Sequence, residues 1–319
     1  MRVEELCLSE SEKVETERLL NDIFRGEPWT VEAFLKNAAL TAHSLPRSVR
    51  SCLNDLRTTE SASAVCIRNN PISHELEPTP ETIPKPSQKV NVTREEALLL
   101  LHSSLMGEPF TWSSIQNGNL INEIIPIAEH ANEPMSSGSS NTFGLHTEDA
   151  FHEFRGEYLA LFCMRNPTRT PTLLSSVNDV RLSEREKAIL MEPRYIVGSN
   201  RAHAVASTAS CRAGVLLGHP SDPYLRINTN RDPEIELGSE AAAAYSKLVG
   251  QLEAGCIPYV LMPGDCLVID NYKVAHGRSA YTPSYDGYDR WLKRVYITSS
   301  LRRSRALRAS VESRIIQLQ

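Results

Sequence analysis

The sequence predicts a mainly β protein with flanking α helices, whose strands form an antiparallel barrel or jelly roll. Most strand-like runs lie in the second half of the chain, and helices do not separate them at regular intervals. A doubly wound parallel sheet needs a helix between successive strands, so the antiparallel arrangement is favoured. The composition, 41% hydrophobic and 23% charged over 319 residues, is that of a globular protein. We find neither an internal repeat nor a clean boundary, and therefore expect one domain.

Four helices are predicted from their start signals. A hydroxyl followed three residues later by a glutamate, which together satisfy the free amides of a first turn, occurs at Ser9, Thr93 and Ser183. The fourth predicted helix begins at Ser239, is rich in alanine, and stops at Gly255. These are the flanking helices of the predicted fold.

Seven runs are predicted to be strands, because they are rich in β-branched or aromatic residues and bounded by Gly, Pro, Asn or Asp. They are SAVCIR, YLALFCM, RYIVGS, PYLRINT, PYVLM, DCLVID and KRVYITS. The segment PYVLMPGDCLVIDN predicts a hairpin of two strands joined by a tight Pro-Gly-Asp turn. Residues 70–90 hold five prolines and predict an extended surface connection. Residues 132–144, rich in Ser, Gly and Asn, predict a loop or lid over a site.

Charge and cysteine usage exclude several classes of protein. A net charge of −5 argues against a nucleic-acid binder, and the basic cluster at 301–308 is short enough to be a solvated edge or helix. The N-terminus has no apolar signal region, and no run of eighteen apolar residues occurs, so no membrane partner is expected. The seven cysteines are scattered without a C-x-x-C pair, which fits a reducing cytoplasm.

The stretch HTEDAFH places two metal-ligand side chains, His146 and Glu148, two residues apart. On an extended strand these side chains point to the same face, as a shared metal requires. His276, in the later segment IDNYKVAHGRSAY, is the best candidate for a third ligand. Two imidazoles and one carboxylate form the facial triad of non-haem Fe(II) oxygenases.

An H-x-E triplet occurs often by chance, so Arg290 decides the interpretation. It lies fourteen residues after His276 and begins the strand-like run RWLKRVYI. A 2-oxoglutarate that chelates iron through its keto acid needs its far carboxylate anchored, and a guanidinium does this with two parallel hydrogen bonds. The sequence therefore predicts Fe(II) as cofactor, with 2-oxoglutarate and O2 as cosubstrates.

Taken together, HTEDAFH and its following strand, PGDCLVIDNYKVAHGR and DGYDRWLKRVYI resemble the clavaminate synthase family of Fe(II)/2-oxoglutarate oxygenases. The resemblance runs from about residue 93 to residue 305. The family includes hydroxylases of free amino acids in peptide-antibiotic pathways. It implies a double-stranded β-helix (jelly-roll, cupin-like) core over 93–305 with insertions. The region 1–92 would pack on this core within a single oxygenase domain, 1–319.

The resemblance also implies the roles of individual residues. It assigns metal ligation to His146, Glu148 and His276, and the salt bridge to 2-oxoglutarate to Arg290. It adds a second cosubstrate contact at Thr172, although the spacing from His146 is slightly shorter here than in clavaminate synthase.

For the substrate, the resemblance implies an L-amino acid held by its α-amino and α-carboxylate groups. The residues it assigns to these groups are Gln116, Ser136, Arg294 and the second oxygen of Glu148. Hydroxylation would fall on Cβ or Cγ of the substrate.

Asn228 and Asn230 bear on the substrate side chain, because arginine hydroxylases of the family carry aspartates in the corresponding segment. A buried guanidinium facing two neutral amides lacks a counter-charge, whereas a urea or carboxamide can pair with them. We therefore expect citrulline ahead of glutamine or asparagine. Asp222 and Asp232 lie close by in the sequence, which leaves arginine open.

Two alternatives come from other classes. Zinc also accepts two histidines and a glutamate, which would suit a hydrolase. A cupin-like module could use the jelly roll only to bind a small molecule. Asp149 and His152, the remaining polar residues of the motif, are expected to be satisfied structural groups. The oligomeric state stays open.

Overall fold

The computed structural model describes residues 1–26, 28–85, 91–199, 203, 210–230, 234–235 and 239–318. The helices of this part of the chain are α1 (Glu10–Ile23), α2 (Val31–Leu35), α3 (Ala38–Ala42), α4 (Arg47–Thr59), α5 (Arg94–Met106), α6 (Glu184–Met191) and α7 (Ser239–Ala254). Its first strands are β1 (Glu4–Cys7), β2 (Ala64–Arg68), β3 (Glu108–Trp112), β4 (Asn122–Ile124), β5 (Phe143–His146), β6 (Tyr158–Arg165), β7 (Thr172–Ser176) and β8 (Tyr195–Gly198). The later strands are β9 (Ser210–Ala213), β10 (Leu216–His219), β11 (Asp222–Leu225), β12 (Glu234–Ile235), β13 (Ile257–Tyr259), β14 (Cys266–Asp270), β15 (Val274–Arg278), β16 (Trp291–Thr298) and β17 (Ile315–Ile316).

Two sheets carry most of the strands. The larger sheet has the order β1-β2-β14-β6-β16-β3-β17, with β4 also paired to β16. The smaller sheet has the order β13-β7-β15-β5, and all its pairs are antiparallel. This confirms a mainly β chain with antiparallel strands and flanking helices. The described strands do not close into a barrel.

Apolar side chains pack the two sheets against each other and against the helices. Leu161 and Leu267 of the larger sheet share one buried cluster with Leu174 and Val274 of the smaller sheet. A second cluster lies between α1, α4 and α5 and the other side of the larger sheet. A third cluster joins α6 and α7 to the smaller sheet and the strands β8 to β11. The sheets are therefore the two inner layers, and helices cover both outer faces.

The helix starts agree with the local signals. The side chains of Ser9, Thr93 and Ser183 each accept a hydrogen bond from the amide three residues later, and the glutamate there accepts one in return. The alanine-rich helix ends at Ala254, one residue before the predicted stop at Gly255. Three helices were missed: α2 and α3 have only five residues each, and α4 begins after Pro46 without a side-chain cap.

The predicted Pro-Gly-Asp hairpin is wrong. The turn exists, with Gly264 at φ +85° and the carboxylate of Asp265 accepting from the amide of Met262 at 2.9 Å. However, β13 pairs with β7 in the smaller sheet, whereas β14 pairs with β2 and β6 in the larger sheet. The turn therefore carries the chain from one sheet to the other. The residues that favour such a turn are the same whether it closes a hairpin or links two sheets, so the sequence could not distinguish the two.

The proline-rich segment 70–90 was predicted to be an extended surface connection, and the structure agrees with this only in part. Within the described part of 70–90, no helix or strand forms, but Thr79 is buried and bonds the backbone of Gly287 and Asp289. All seven cysteines are free. Among the described helices, none combines the length and the apolar character that crossing a bilayer requires.

A buried ionic cluster anchors β16. The ammonium of Lys293 lies 2.8 Å from carboxylate oxygens of both Glu96, on α5, and Glu123, on β4. The indole N–H of Trp291 donates to the other oxygen of Glu123 at 2.6 Å. Burial alone would lower the pKa of Lys293, but the two carboxylates raise it above its ordinary value. The cluster thus holds β16 in place between a helix and a neighbouring strand.

Removing this ammonium should be costly, because it leaves two buried carboxylates without their shared counter-charge. We expect Lys293→Met to lower the free energy of unfolding by about 3–5 kcal/mol, measured by urea denaturation at pH 7. Lys247→Met is the matched control, because Lys247 pairs with Glu186 at the surface, where the loss should stay below about 1 kcal/mol. Equal losses of unfolding free energy in Lys293→Met and Lys247→Met would show that burial of the Lys293 cluster does not set the cost.

Candidate active site

Three ligand-type side chains meet where β5 and β15 pair in the smaller sheet. His146 ends β5 and lies directly opposite His276 of β15, with ring centroids 4.4 Å apart. Oε1 of Glu148 lies 3.4 Å from Nε2 of His276 and 3.7 Å from Nε2 of His146. One ligand atom from each of the three residues lies within 4.8 Å of the others. All three side chains are buried.

Glu148 does not occupy the predicted strand position. The strand β5 ends at His146, and Glu148 lies in the turn that follows. Its backbone is held by the side-chain amide of Asn271, which accepts from the Glu148 N–H at 2.7 Å and donates to its carbonyl at 3.1 Å. The convergence therefore depends on a residue 123 positions away in the chain, and not on strand periodicity alone.

The protonation states of the three side chains suit metal binding. Burial, reinforced by His146, lowers the pKa of His276 to about 4, so this imidazole is neutral near pH 7. Nδ1 of His146 lies 2.9 Å from the carbonyl of Gly144 and must carry the proton, which leaves Nε2 free to ligate. Burial alone would raise the pKa of Glu148, but Arg294 and the two imidazoles lower it well below its usual range. Two imidazole nitrogens and one carboxylate are a donor set that fits a divalent iron.

Glu148 is tied to the larger sheet by Arg294. Nη1 of Arg294 donates to Oε1 of Glu148 at 2.6 Å, and Nη2 donates to Oδ1 of Asn122 at 3.2 Å. The other carboxylate oxygen, Oε2 of Glu148, is buried and has no hydrogen-bond partner among the described residues. The carboxylate therefore keeps an acceptor available for a ligand.

A cavity beside the three ligand residues, here the first cavity, carries an excess of positive charge. Its lining includes Thr172, Arg278, Arg290 and Arg294, together with Glu148. Among the described lining residues, three guanidinium groups thus face one carboxylate. The Nε atoms of Arg278 and Arg290 and the hydroxyl of Thr172 are buried without a hydrogen-bond partner in the described part of the chain. Such a cavity is suited to an anion.

Arg278 was missed by the sequence analysis. It lies two residues after His276 on β15 and opposite Thr172 of β7, so the period of two along a strand could have identified it. Its guanidinium donates to the carbonyls of Ser139, Asn141 and Ser279, and burial lowers its pKa to about 10. These carbonyls hold Arg278 in place but do not neutralise it.

The second cavity extends from Arg294 and Ser136, which line both cavities. Gln116 also lines it, so three of the predicted substrate residues share this space. The side-chain amide of Gln116 bonds the backbone N–H and carbonyl of Glu123, at 2.8 and 2.7 Å. Two acidic side chains, Glu129 and Glu133, line the same cavity.

Asn228 and Asn230 lie near the ligand residues but line neither of these two cavities within the described part of the chain. Asn228 forms a backbone bridge with His146. The side chain of Asn230 accepts from the N–H of Gly144 at 2.7 Å and donates to its carbonyl at 3.0 Å. It also donates to Oδ1 of Asn228 at 3.2 Å. Asn230 thus continues the pairing of β5, a role that its local sequence did not indicate. Asp232 lies outside the described residues.

Asp149 and His152 both have hydrogen-bond partners. Asp149 accepts from the indole of Trp112 at 2.5 Å and from His203 at 2.8 Å. Nδ1 of His152 accepts from the backbone N–H of Phe154 at 3.0 Å.

Two imidazoles and a carboxylate beside a cavity lined by guanidinium groups have the donor set of a facial-triad non-haem iron site. Residues 183–296 match the model of the family described as "Taurine catabolism dioxygenase TauD, TfdA family". The chain is 31% identical over 310 residues to the enduracididine beta-hydroxylase of Streptomyces hygroscopicus, covering 89% of this chain and 90% of that protein. It is 29% identical over 303 residues to the L-ornithine/L-arginine 3-hydroxylase of Catenulispora acidiphila, covering 87% and 88%.

Among solved structures, that of the non-heme iron oxygenase OrfP in complex with Fe, succinate and (3S)-hydroxy-L-Arg is similar with a TM-score of 0.90. The two chains are 30% identical, and the match covers 98% of this chain and 99% of that one. The chain therefore belongs to the clavaminate synthase family of Fe(II)/2-oxoglutarate-dependent oxygenases, an amino-acid hydroxylase family. The predicted cofactor Fe(II) and the cosubstrates 2-oxoglutarate and O2 are confirmed with it. A zinc hydrolase and a non-catalytic cupin-like module do not fit this membership.

The ion pair between Arg294 and Glu148 predicts a specific response to metal. In Arg294→Met without metal, Glu148 loses its buried counter-charge, and we expect the free energy of unfolding to fall by about 3 kcal/mol. Co(II), a divalent stand-in for iron, should restore much of this loss because it supplies positive charge to the same carboxylate. Thermal unfolding of metal-free and Co(II)-bound protein measures both effects.

Arg302→Met, at an exposed position, is the control and should unfold as the wild type does with and without Co(II). A metal-induced rise in Tm that is no larger in Arg294→Met than in the wild type would contradict the prediction.

Proposed function

We propose that this protein hydroxylates a free L-amino acid at Cβ or Cγ, with citrulline as the preferred substrate, in the biosynthesis of a peptide antibiotic or a related natural product. The observation that carries the proposal is the first cavity. It places the ligand atoms of Glu148 and His276 in one space with an excess of guanidinium groups and an unpartnered threonine hydroxyl. A metal ion and a dianionic chelating acid together satisfy all of these groups.

His146, Glu148 and His276 hold the iron in this proposal. Iron held here would supply the chemistry that activates O2: one oxygen atom would convert a C–H bond of the substrate to C–OH, and the other would enter succinate as 2-oxoglutarate loses CO2. Arg290 binds the far carboxylate of 2-oxoglutarate; its guanidinium is buried, and its Nε has no hydrogen-bond partner among the residues that the structure describes. The hydroxyl of Thr172 donates to the same carboxylate.

The amino-acid backbone of the substrate lies where the two cavities meet. Arg294 binds the α-carboxylate there, with Ser136 and the free amide capacity of Gln116 beside it. Glu148 accepts from the α-ammonium through the oxygen that does not ligate iron. Anchoring both α groups fixes which side-chain carbon faces the iron, and this orientation decides between Cβ and Cγ.

The preference for citrulline rests on the residue types of Asn228 and Asn230, which lie near His146 but line neither cavity, so it requires that the substrate side chain reaches beyond the two cavities to these amides. A charged guanidinium would find no carboxylate at either position, whereas a ureido group can donate to and accept from an amide. Arginine is the second candidate, because Glu129 and Glu133 line the second cavity and could offset a cationic side chain. The OrfP structure also holds (3S)-hydroxy-L-Arg.

The same proposal extends to the architecture. We infer that the two facing sheets form the double-stranded β-helix (jelly-roll) core of a single oxygenase domain over 1–319, with 1–92 packed on 93–305. The pairing of β1 with β2, and of β2 with β14, supports a continuous structure.

An amino-acid panel tests the activity. The protein, purified without oxygen, is supplied with Fe(II), 2-oxoglutarate, O2 and one amino acid from citrulline, arginine, glutamine, asparagine and lysine. We expect a gain of one oxygen atom on citrulline with an equal amount of succinate, measured by mass spectrometry, and little product from arginine. His276→Ala, which removes one iron ligand, is the inactive control. Turnover of arginine instead would refute the side-chain assignment, and no succinate with any amino acid would refute the proposed reaction.

A further inference from the structure

A buried hydrogen-bonded cluster lies next to Glu148 and has no role in the proposed reaction. It consists of Asp149, His203, Ser114 and Trp112. Oδ2 of Asp149 accepts from the indole of Trp112 at 2.5 Å, and Oδ1 lies 2.8 Å from Nε2 of His203. Nδ1 of His203 lies 2.7 Å from the hydroxyl of Ser114. The side chains of His203 and Asp149 are both fully buried.

Each polar atom of the two central side chains has a partner. The carboxylate of Asp149 accepts from Trp112 and from Nε2 of His203. Nδ1 of His203 pairs with the hydroxyl of Ser114, which can donate or accept. The cluster therefore forms one connected network from Ser114 through His203 to Asp149.

Asp149 is held in a backbone conformation that needs support. Its φ of +50° lies in the left-handed region, which residues other than glycine seldom adopt and in which Asp and Asn are found when their side chains bond locally. Asp149 directly follows Glu148, so this conformation sets how the chain leaves Glu148. Asn271 holds the Glu148 backbone. The bonds from Trp112 and His203 hold the next residue.

His203 is fixed by more than its hydrogen bonds. Its ring packs edge-on against Phe151, at a centroid distance of 4.9 Å, and against Trp112 at 6.0 Å. Its partner Ser114 lines the second cavity, where we place the substrate. His203, 54 positions after Asp149 in the chain, therefore links Ser114 in the cavity lining to the turn that contains Glu148.

We propose that His203 is a positioning residue, which acts through Asp149 to hold Glu148 in the orientation that binds the metal. The proposal rests on the assignment of Glu148 as a metal ligand. It does not depend on the identity of the substrate. Replacing a residue whose hydrogen bonds orient a metal ligand typically weakens metal binding 10–100-fold.

The test measures Co(II) binding to the metal-free protein by calorimetry. His203→Phe keeps the aromatic packing and removes both hydrogen bonds, and we expect it to weaken Co(II) binding about tenfold. The Tm of the metal-free protein should also fall, because the buried Asp149 loses one donor. His203→Gln keeps a donor toward Asp149 and should recover most of the affinity. His43→Phe, at an exposed position, is the matched control and should bind as the wild type does.

Two further variants show whether the effect passes through Asp149. Asp149→Asn should weaken Co(II) binding on its own. Adding His203→Phe to it should weaken Co(II) binding no further, because both changes disrupt the same hydrogen bond between His203 and Asp149. If His203→Phe does not fold, Trp112→Phe removes the other bond to Asp149 and should give the same loss.

An affinity of His203→Phe within twofold of the wild type, or losses that simply add in the double variant, would overturn the role of His203. In the fallback case, an unchanged affinity of Trp112→Phe would overturn the premise that the hydrogen bonds to Asp149 hold Glu148, and with it the role of His203. Absence of Co(II) binding by the wild type would instead refute the metal site itself, so the two failures are distinct.

Discussion

The buried contact between Glu148 and Arg294 is the interaction on which the site depends. A carboxylate must stay ionised to bind a metal, but burial in a protein interior favours its neutral form. The guanidinium of Arg294, 2.6 Å away, reverses this preference before any metal arrives. Because Glu148 follows a strand of the smaller sheet and Arg294 lies on β16 of the larger one, the same ion pair also joins the two sheets at the site.

The two faces of β16 carry charge clusters of opposite sign. On one face, Lys293 meets the carboxylates of Glu96 and Glu123. On the other, Arg294 shares a cavity with two further guanidinium groups and one carboxylate. The alternation of side chains along a strand makes this separation possible over two adjacent residues. In the first cluster, the indole N–H of Trp291 also donates to Glu123, so this cluster anchors the strand. The second keeps a surplus of positive charge that an anionic cosubstrate can neutralise.

The sequence predicted those features that depend on local chemistry. Capping boxes at Ser9, Thr93 and Ser183 fixed three helix starts, since the partners lie three residues apart. The proposed iron ligands and Arg290 were chosen from residue types whose combination has few other uses, and from the resemblance of the segments around them; the structure places them beside one cavity. The fold class followed from the order of strand-like runs.

The remaining features depend on contacts between distant segments. A Pro-Gly-Asp turn looks the same whether it closes a hairpin or carries the chain between sheets, so the pairing of β13 and β14 could not be predicted. The turn at Glu148 depends on Asn271, and the support of Asp149 depends on His203. No local pattern in the sequence relates these residues. Asn230 pairs with the backbone of Gly144, which its residue type alone did not indicate.

In the proposed site, one cavity between the two sheets holds both the iron and 2-oxoglutarate. Its decisive test is a crystal structure of crystals grown without oxygen in the presence of Fe(II) and 2-oxoglutarate, with anomalous difference density measured at the iron edge. We expect an iron peak bound by His146, Glu148 and His276, and the far carboxylate of 2-oxoglutarate on the guanidinium of Arg290. Iron bound elsewhere, or a cosubstrate whose far carboxylate does not contact Arg290, would refute the proposed site.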